Sequence, residues 1–328
     1  MAGLRALVPR REFQVAAAVA ITLAAMFLVP ALFTGFWVAR FSQTAIFTIL
    51  ASSVGLLYGR VGLVSLGQVA PYGIGAWVTL RLAFATSLPF PILLIVAGLV
   101  AAAIGVMIGL PALRVSGLYL ALVTLMLAAS VEIILSQIKF PNGGGGFSGV
   151  VTQLSDIAPM RRPGFASSDV AYYRFIVVAA FIIMMAVAFV LTRKPGRAWA
   201  SIRQSEVSAL AAGIDVTRYK LYAFAIAAFM AGVAGGLFAG TIPKGLSLDP
   251  FTRQAAIFLI AAAVMGGIRS LWGGLAAGIL ATLFLAFLTQ NVWGHQLWTD
   301  FSLSLFGFGL LMNLVQNTKA DEKKGIAS

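Results

Sequence analysis

The segment RKPGRAWASIRQSEVSALAAGIDVTRYK, residues 193–220, separates two long apolar runs. It carries six Lys or Arg and two acids, whereas each flanking run is about 20 largely apolar residues long, the length with which a helix crosses a bilayer. Pro195 and Gly196 interrupt the first run, and Gly213 is typical of a helix C-terminus. The pattern predicts a basic loop, with a short helix inside it, between two membrane spans.

The composition of the whole chain extends this prediction to an all-α polytopic membrane protein. Of 328 residues, 60% are hydrophobic and 10% are charged, whereas soluble domains have about 25% charged residues. The apolar runs last about 18 to 22 residues, whereas barrel strands alternate over about ten. The net charge of +13 is spread singly over short loops, which favours cytoplasmic loops over a nucleic-acid site.

The apolar runs predict about ten transmembrane helices. The number of membrane crossings is between eight and ten, because residues 59–85, or the closely spaced eighth and ninth runs, could be re-entrant. If the chain starts inside, 15 Lys and Arg lie on the cytoplasmic side and the other 8 elsewhere, which agrees with the positive-inside rule. The runs are residues 13–33, 41–58, 59–85, 92–110, 117–138, 172–191, 221–241, 252–268, 272–289 and 298–316.

This topology makes the chain one transmembrane domain, residues 1–328, with both termini in the cytoplasm. The predicted cytoplasmic parts are the tails 1–11 and 317–328 and the central loop 193–220, whereas the loop 139–171 lies outside. Glycine pairs four residues apart also predict close helix contacts. These pairs are Gly55/Gly59, Gly105/Gly109, Gly232/Gly236 and Gly274/Gly278.

The third run, GRVGLVSLGQVAPYGIGAWVTLRLAFA at residues 59–85, is interrupted by four glycines after Gly59 and by Pro71. Such a span predicts a broken or bent helix, which is tolerated in a membrane only where protein or a water-filled cavity satisfies the backbone. A second glycine-rich stretch, residues 265–280, occupies the corresponding place in the second half. We therefore expect two inverted five-helix halves, with the solute path near these segments.

Missing motifs narrow the class of transporter. The chain has no Walker A motif, the glycines 143–146 lack its lysine, and no constellation suggests an enzyme. It has no Cys, and the lone His295 cannot form a metal cluster. Glu132 is the one acid well inside a predicted span, so the sequence gives little support for coupling to an ion gradient. We expect the Glu132 side chain to pair with a polar neighbour. Energy must then come from a partner, although a stand-alone carrier or channel stays an alternative.

The central loop offers a surface for such a partner. Trp199, Ile202, Glu206, Ala209 and Gly213 recur at intervals of three and four residues, which places them on one face of a helix. A short amphipathic helix in a loop is suited to docking into a partner's groove. The alternative is an ordinary basic loop that only sets the topology.

Several motifs of the chain resemble the M-type permease subunits of branched-chain amino acid ABC importers. The resemblance implies the ABC importer permease fold in a bacterial inner membrane. It also implies a heterodimer with a homologous permease, two cytoplasmic ATPases that bind and hydrolyse ATP, and a periplasmic binding protein. The chain itself then needs no cofactor and is no enzyme. The motifs are GRVGLVSLGQVAPYGIGAW (59–77), LPALRVSGLYLALVTL (110–125), GGGGFSGV (143–150), PGRAWASIRQSEVSALAAGIDVTRYKLYAFAIAAFMAGVAGGLFA (195–239) and GGIRSLWGGLAAG (266–278).

The resemblance makes the central loop a coupling segment related to the E-A-A…G loop of ABC importers. Glu206, Ala209 and Gly213 match its Glu, Ala and Gly, whereas Ser208 replaces a frequent second Ala and Gln204-Ser205 replaces an acidic-Asn pair. The full set that we expect at the ATPase is Arg197, Trp199, Ile202, Arg203, Glu206, Ala209 and Gly213.

The broken third span supplies the residues that we expect along the solute path in an alternating-access mechanism. These are Ser65, Gly67, Gln68 and Tyr72. Gln68 stands where many members of the family carry His or Gln, whereas the outer loop departs from the family's G-G-P-x-G-L-S-G. Branched-chain amino acids are the substrates we expect; urea, short amides or other small organic solutes are the alternatives.

Overall fold

The computed structural model describes residues 8–113, 115, 117–151, 162–242, 246–268 and 270–287, with only the backbone at 8–15, 118 and 271. The predicted tenth span 298–316, the tail 317–328 and His295 lie outside these residues. Of the predicted N-terminal tail, residues 8–11 are described, and they already belong to the first helix.

Regular structure in the described ranges is entirely helical, which confirms the predicted all-α fold of a polytopic membrane protein. α2 and α11 continue as π-helices, Gly55–Val61 and Ile279–Phe284, and 3₁₀ turns at Gly164–Ala166 and Asp249–Phe251 precede α6 and α10. The α-helices are α1 (Val8–Leu32), α2 (Gly35–Val54), α3 (Val69–Ala85), α4 (Phe90–Ala112), α5 (Leu118–Ile138), α6 (Asp169–Thr192), α7 (Lys194–Gln204), α8 (Glu206–Ala211), α9 (Val216–Ala239), α10 (Arg253–Gly267) and α11 (Leu271–Gly278).

The described helices fall into two length classes. Five are long and apolar enough to cross a membrane: α2 with its π-helical continuation, α4, α5, α6 and α9. The apolar part of α1, residues 16–32, occupies the predicted first span, and the shorter apolar helices α3, α10 and α11 with its π-helical continuation occupy the predicted third, eighth and ninth spans. At 1.5 Å per residue, the 15 residues of α10 cover about 22 Å, which is less than the hydrocarbon core of about 30 Å. The number of crossings therefore stays a prediction.

The predicted break in the third span is confirmed and begins at Gly62. Gly62 ends the π-helical part of α2 with a φ of 87°, a left-handed conformation that favours glycine. Irregular backbone follows until α3 starts at Val69. Side chains accept hydrogen bonds from two backbone N–H groups of this stretch: the Leu66 N–H donates to Thr124 Oγ1 at 3.0 Å, and the Gly67 N–H donates to Ser65 Oγ at 3.3 Å. The first residues of the predicted third span thus belong to the end of α2.

Two central helices organise the packing. α9 packs mainly against α3 and α4, whereas α2 packs against α6 and α11. Close approach depends on small residues: Gly75 lies against the backbone of Gly232, and Gly235 lies against the carbonyl of Tyr72. α2 and α9 are the second helices of the two predicted halves, and each packs mainly against helices of the other predicted half. The pair of five-helix halves itself stays a prediction.

The bundle has two ends with different contents. Lys139 and Phe147 lie where α3 and α5 finish, because Trp77 Nε1 donates to the Lys139 carbonyl at 3.0 Å and Arg81 Nε donates to the Phe147 carbonyl at 3.0 Å. We call this the Phe147 end. The opposite end carries α7 and α8 and is called the α8 end. The described parts of the loops 139–171 and 193–220 thus lie at opposite ends, as the predicted topology requires.

Candidate functional site

The central segment forms two helices instead of one. Ser205 separates α7 from α8, because its backbone is extended, with a φ of −161° and a ψ of 121°. Its Oγ accepts a hydrogen bond from the Ser208 N–H at 3.2 Å and so caps α8. The periodicity that predicted a single helical face across residues 199–213 is therefore interrupted at Ser205, and the two parts of that face have different directions.

The apolar residues of the predicted docking face lie against the chain's own bundle. Trp199 is fully buried, and Ile202 and Ala209 are also buried. Trp199 Nε1 donates to the Tyr219 carbonyl at 2.8 Å, and its ring stacks on Tyr222 at 6.0 Å between centroids. These side chains hold α7 and α8 on α9, so in this structure they are not the surface that α8 offers to a partner.

The exposed surface of α8 consists of other residues. Val207 and Leu210 are 77% and 59% exposed, and they lie on one face because they are three residues apart. Gly213 is also exposed, and its φ of 76° ends the helix, so the predicted C-terminal glycine is confirmed. Val207 and Leu210 lie off the predicted stripe that contains Trp199, so the periodicity of the sequence did not indicate them.

Two charged residues near the junction of α7 and α8, Glu206 and Arg203, have partners within the chain. Glu206 Oε1 lies 2.6 Å from Lys220 Nζ, and the Lys220 side chain is 11% exposed. Arg203 donates to the backbone carbonyl of Gly59 at the end of α2. Arg197, by contrast, is exposed. Glu206 and Arg203 therefore already fix α7 and α8 to neighbouring elements, whereas Arg197 faces outwards.

The residues predicted along the solute path lie in or just after the break. Ser65 and Gln68 are buried, and Gln68 Oε1 accepts from Ser53 Oγ at 3.4 Å. Gly67 lies against Thr124 of α5. The structure thus brings together three of the four predicted positions; Ser65 and Gln68 are enclosed by the chain itself, whereas Gly67 is half-buried.

Tyr72, the fourth predicted path residue, begins the aromatic cluster towards the Phe147 end. Its ring lies 5.0 Å from Phe251 and 5.8 Å from Phe238, measured between centroids. Phe140 contacts the same Phe251 ring at 5.1 Å. Tyr72 is buried by these rings, so a solute could reach it only if this cluster opened.

The family of the chain follows from a comparison over most of its length. A family model described as branched-chain amino acid transport system / permease component matches residues 37–315. The chain belongs to this family. The matched range contains the break before α3 and the whole α7–α8 segment, so both candidate regions are part of the permease component.

Two curated relatives are similar to the chain. Both are high-affinity branched-chain amino acid transport system permease proteins LivM. The Salmonella typhimurium LT2 protein is 33% identical over 258 residues, 73% of this chain and 60% of the relative. The Escherichia coli K12 protein is 33% identical over 256 residues, 72% of this chain and 60% of the relative. The chain therefore aligns with about 60% of the length of each relative. No solved structure matches it significantly.

One residue inside a span of this permease family member has an unexpected partner. The expectation that Glu132 pairs with a polar neighbour is confirmed, since its Oε2 lies 3.3 Å from Arg253 Nε and accepts from the Arg253 N–H at 3.1 Å. The two residues are 121 positions apart. No periodicity or motif in the sequence connects these two positions.

Proposed function

We propose that this multi-pass membrane protein is the permease subunit of an ATP-driven importer of branched-chain amino acids. The observation that carries the proposal is the family match, which covers residues 37–315. The two LivM relatives are named for high-affinity branched-chain amino acid transport. As a permease component, the chain provides the membrane path. The proposal also includes three partners: a homologous permease, two subunits that hydrolyse ATP, and a periplasmic binding protein that delivers the amino acid.

The α8 end is the side that we assign to the cytoplasm of a bacterial inner membrane. The basic segment 193–220 is at this end, and positively charged loops favour the cytoplasmic side. Both termini then face the cytoplasm, and the Phe147 end faces the periplasm.

The coupling role that we propose is divided between two surfaces of the α7–α8 segment. Val207 and Leu210 are exposed apolar side chains on a short helix, which suits insertion into a groove of a partner ATPase. Trp199 and Ile202 anchor the segment on the bundle, and Arg203 connects it to Gly59. A push on α8 would thus be transmitted directly to the end of α2, which adjoins the break.

The solute path that we propose passes the break before α3. Ser65, Gly67, Gln68 and Tyr72 are the candidate contacts, and their enclosure fits a closed state of an alternating-access cycle. Buried polar side chains beside irregular backbone support this placement, because such backbone occurs at membrane depth only within protein or beside water. Urea, short amides and other small organic solutes are the substrate alternatives.

Transport by the reconstituted complex tests the function. Liposomes that contain this chain, its homologous permease and the ATPases should accumulate labelled leucine only with binding protein outside and ATP inside. Uptake by the purified chain alone without ATP would instead establish a stand-alone carrier. Accumulation of urea or an amide, and not of leucine, would contradict the proposal that branched-chain amino acids are the substrates.

A substitution on α8 tests the coupling surface. Leu210→Asp should abolish co-purification of the ATPases and ATP-driven uptake, because it places a charge in the proposed apolar contact. Leu210→Met keeps the apolar volume and should retain both. Since Leu210 is exposed, the free chain with either substitution should keep its unfolding temperature in detergent. Full association of the Leu210→Asp chain with the ATPases would show that α8 is not part of the ATPase interface.

A further inference from the structure

Three basic residues where α6 passes into α7 have no acidic partner among the residues that the structure describes. All three are exposed. Other cations of the same segment are paired, since Lys220 Nζ lies 2.6 Å from Glu206 Oε1. Arg218 Nε likewise lies 2.8 Å from Asp215 Oδ2. The charges at the α6–α7 junction are therefore available to an anion from outside the chain. The three residues are Arg193, Lys194 and Arg197.

The same three residues line one open cavity at this junction. Its volume is about 480 Å³, within the range of about 300–1,000 Å³ that is usual for small-molecule sites. Phe189 and Thr192 complete the lining, and no carboxylate of the described residues takes part in it. The lining therefore carries charge of one sign, which attracts an anion.

Arg193 is held at the wall of the cavity by an aromatic ring. Its Cζ lies 4.3 Å from the centroid of the Phe189 ring, a distance at which the cation is attracted to the face of the ring. The ring covers one face of the guanidinium, whereas the N–H groups point along its edge. Arg193 is thus placed to bind a phosphate, whose geometry and charge match a guanidinium.

A continuous apolar stripe on α6 leads to this cavity. Between residues 170 and 191 the exposed side chains of α6 are Val178, Ile182, Ala186 and Phe189. They are four, four and three residues apart, which places them on one face of the helix. The stripe is about 16 Å long, close to half of the hydrocarbon core of about 30 Å. It therefore has the length of one lipid leaflet, and its last residue, Phe189, also lines the cavity.

From this continuity we propose that the α6–α7 junction binds an anionic phospholipid. Its phosphate lies in the cavity among the three cations, and its acyl chains lie along the apolar stripe of α6. A soluble phosphate would use the cavity alone, whereas a lipid uses both the cavity and the stripe. Basic pockets at the cytoplasmic ends of spanning helices suit such headgroups.

The lipid site goes beyond the proposed function. Only the leaflet, the cytoplasmic one, follows from the orientation that we assign to the α8 end; binding itself depends neither on the substrate nor on the ATPases. The cavity shares no residue with the Arg203–Gly59 contact. We therefore assign to the lipid the anchoring of the junction in the membrane, and not the transmission of a push from α8.

Lipid binding by the purified full chain is the first test. The chain in detergent is titrated with dioleoyl phosphatidylglycerol or dioleoyl phosphatidylcholine, and bound lipid is counted by native mass spectrometry. Phosphatidylglycerol should bind at least about tenfold more tightly, because three cations face its phosphate and the net charge of phosphatidylcholine is zero. Equal affinities for the two lipids would overturn the inference.

Substitution of one cation tests the position of the site. Arg193→Gln should lower the affinity for phosphatidylglycerol about fivefold. Arg218→Gln is the matched control, because it removes the same charge from the same loop but lies outside the cavity; it should change the affinity less than about twofold. Both residues are exposed, so the unfolding temperatures without lipid should be equal. An equal loss of affinity in both variants would show that only the net charge of the chain matters and would contradict the site.

Two other occupants of the cavity are distinguished by further measurements. Glycerophosphoglycerol, the headgroup without acyl chains, should not displace phosphatidylglycerol at equal concentration; displacement would show a site for a soluble phosphate. In the assembled transporter, Arg193→Gln should retain the ATPases. Loss of the ATPases with unchanged affinity for phosphatidylglycerol would show that the cations bind a partner protein, and would overturn the lipid site.

Discussion

The guanidinium of Arg203, near the end of α7, donates a hydrogen bond to the backbone carbonyl of Gly59 in the π-helical end of α2. Three residues after Gly59, Gly62 begins the irregular backbone that leads to α3. This contact joins the segment proposed to receive the ATPase to the segment proposed to line the solute path. π-helical turns are frequent at functional sites, and here one lies between the two.

Removal of this contact should uncouple hydrolysis from transport. Arg203→Gln loses the guanidinium that reaches Gly59, while Trp199 and Ile202 still anchor α7. We expect ATPase co-purification to persist and leucine uptake to fall about tenfold, the effect of roughly 1.4 kcal/mol. Arg197→Gln, on the exposed side of the same helix, should leave uptake unchanged. Equal uptake by both variants would show that the Arg203–Gly59 contact transmits nothing.

The Glu206–Lys220 pair predicts how α8 responds to charge. Glu206→Arg places a second cation beside Lys220, whose side chain is only 11% exposed. Repulsion should displace α8 from α9 and abolish ATPase co-purification. Glu206→Gln keeps an acceptor for Lys220 and should retain association. Normal association of the Glu206→Arg chain would mean that docking does not depend on where α8 lies.

Much of the architecture was predictable because local chemistry determines it. Backbone polar groups of a long apolar run bond to one another within a helix at membrane depth, so the spans that became α2, α4, α5, α6 and α9 were predicted to within six residues at each end. Gly62 and Gly213 both adopt positive φ, and a glycine at the end of a helical pattern is a strong local signal. The broken third span followed from the same residue type.

The direction of the amphipathic face was not predictable, for a physical reason. Periodicity shows which side of a helix is apolar, but not whether that side meets the chain's own bundle or another protein. Trp199 and Ala209 pack inwards because Tyr219 and neighbouring α9 residues are there to receive them, a long-range fact. The division of the segment into α7 and α8 at Ser205 was not predictable either, since Ser is compatible with both a helix interior and a cap. The Glu132–Arg253 contact likewise depends on tertiary packing.

Two neighbouring serines in α2 should respond differently to the same substitution. Ser53 is fully buried, and its Oγ donates to the Leu50 carbonyl at 2.7 Å and contacts Gln68 Oε1 at 3.4 Å. Among the described residues, the buried Ser52 Oγ has no hydrogen-bond partner. Ser53→Ala should destabilise the protein by about 1 kcal/mol, because it removes the buried hydroxyl that donates to the Leu50 carbonyl and contacts Gln68. Ser52→Ala should be neutral or stabilising. Unfolding temperatures in detergent measure both, and the reverse order would contradict the assigned contacts.

Packing of α9 against α3 leaves no space for a methyl group at Gly235. A Cβ there would overlap the carbonyl oxygen of Tyr72, a backbone atom that cannot move without shifting α3. Gly235→Ala should therefore destabilise the protein by about 1–3 kcal/mol and lower its unfolding temperature in detergent. Gly35→Ala is the matched control: it lies in the first turn of α2, a Cβ there has no neighbour within 4 Å, and alanine favours the helix. Tyr72 is also a candidate path residue, so the Gly235→Ala complex should lose uptake even when assayed well below its unfolding temperature. If Gly235→Ala and Gly35→Ala unfold at the same temperature, α3 and α9 do not pack as closely as the structure shows.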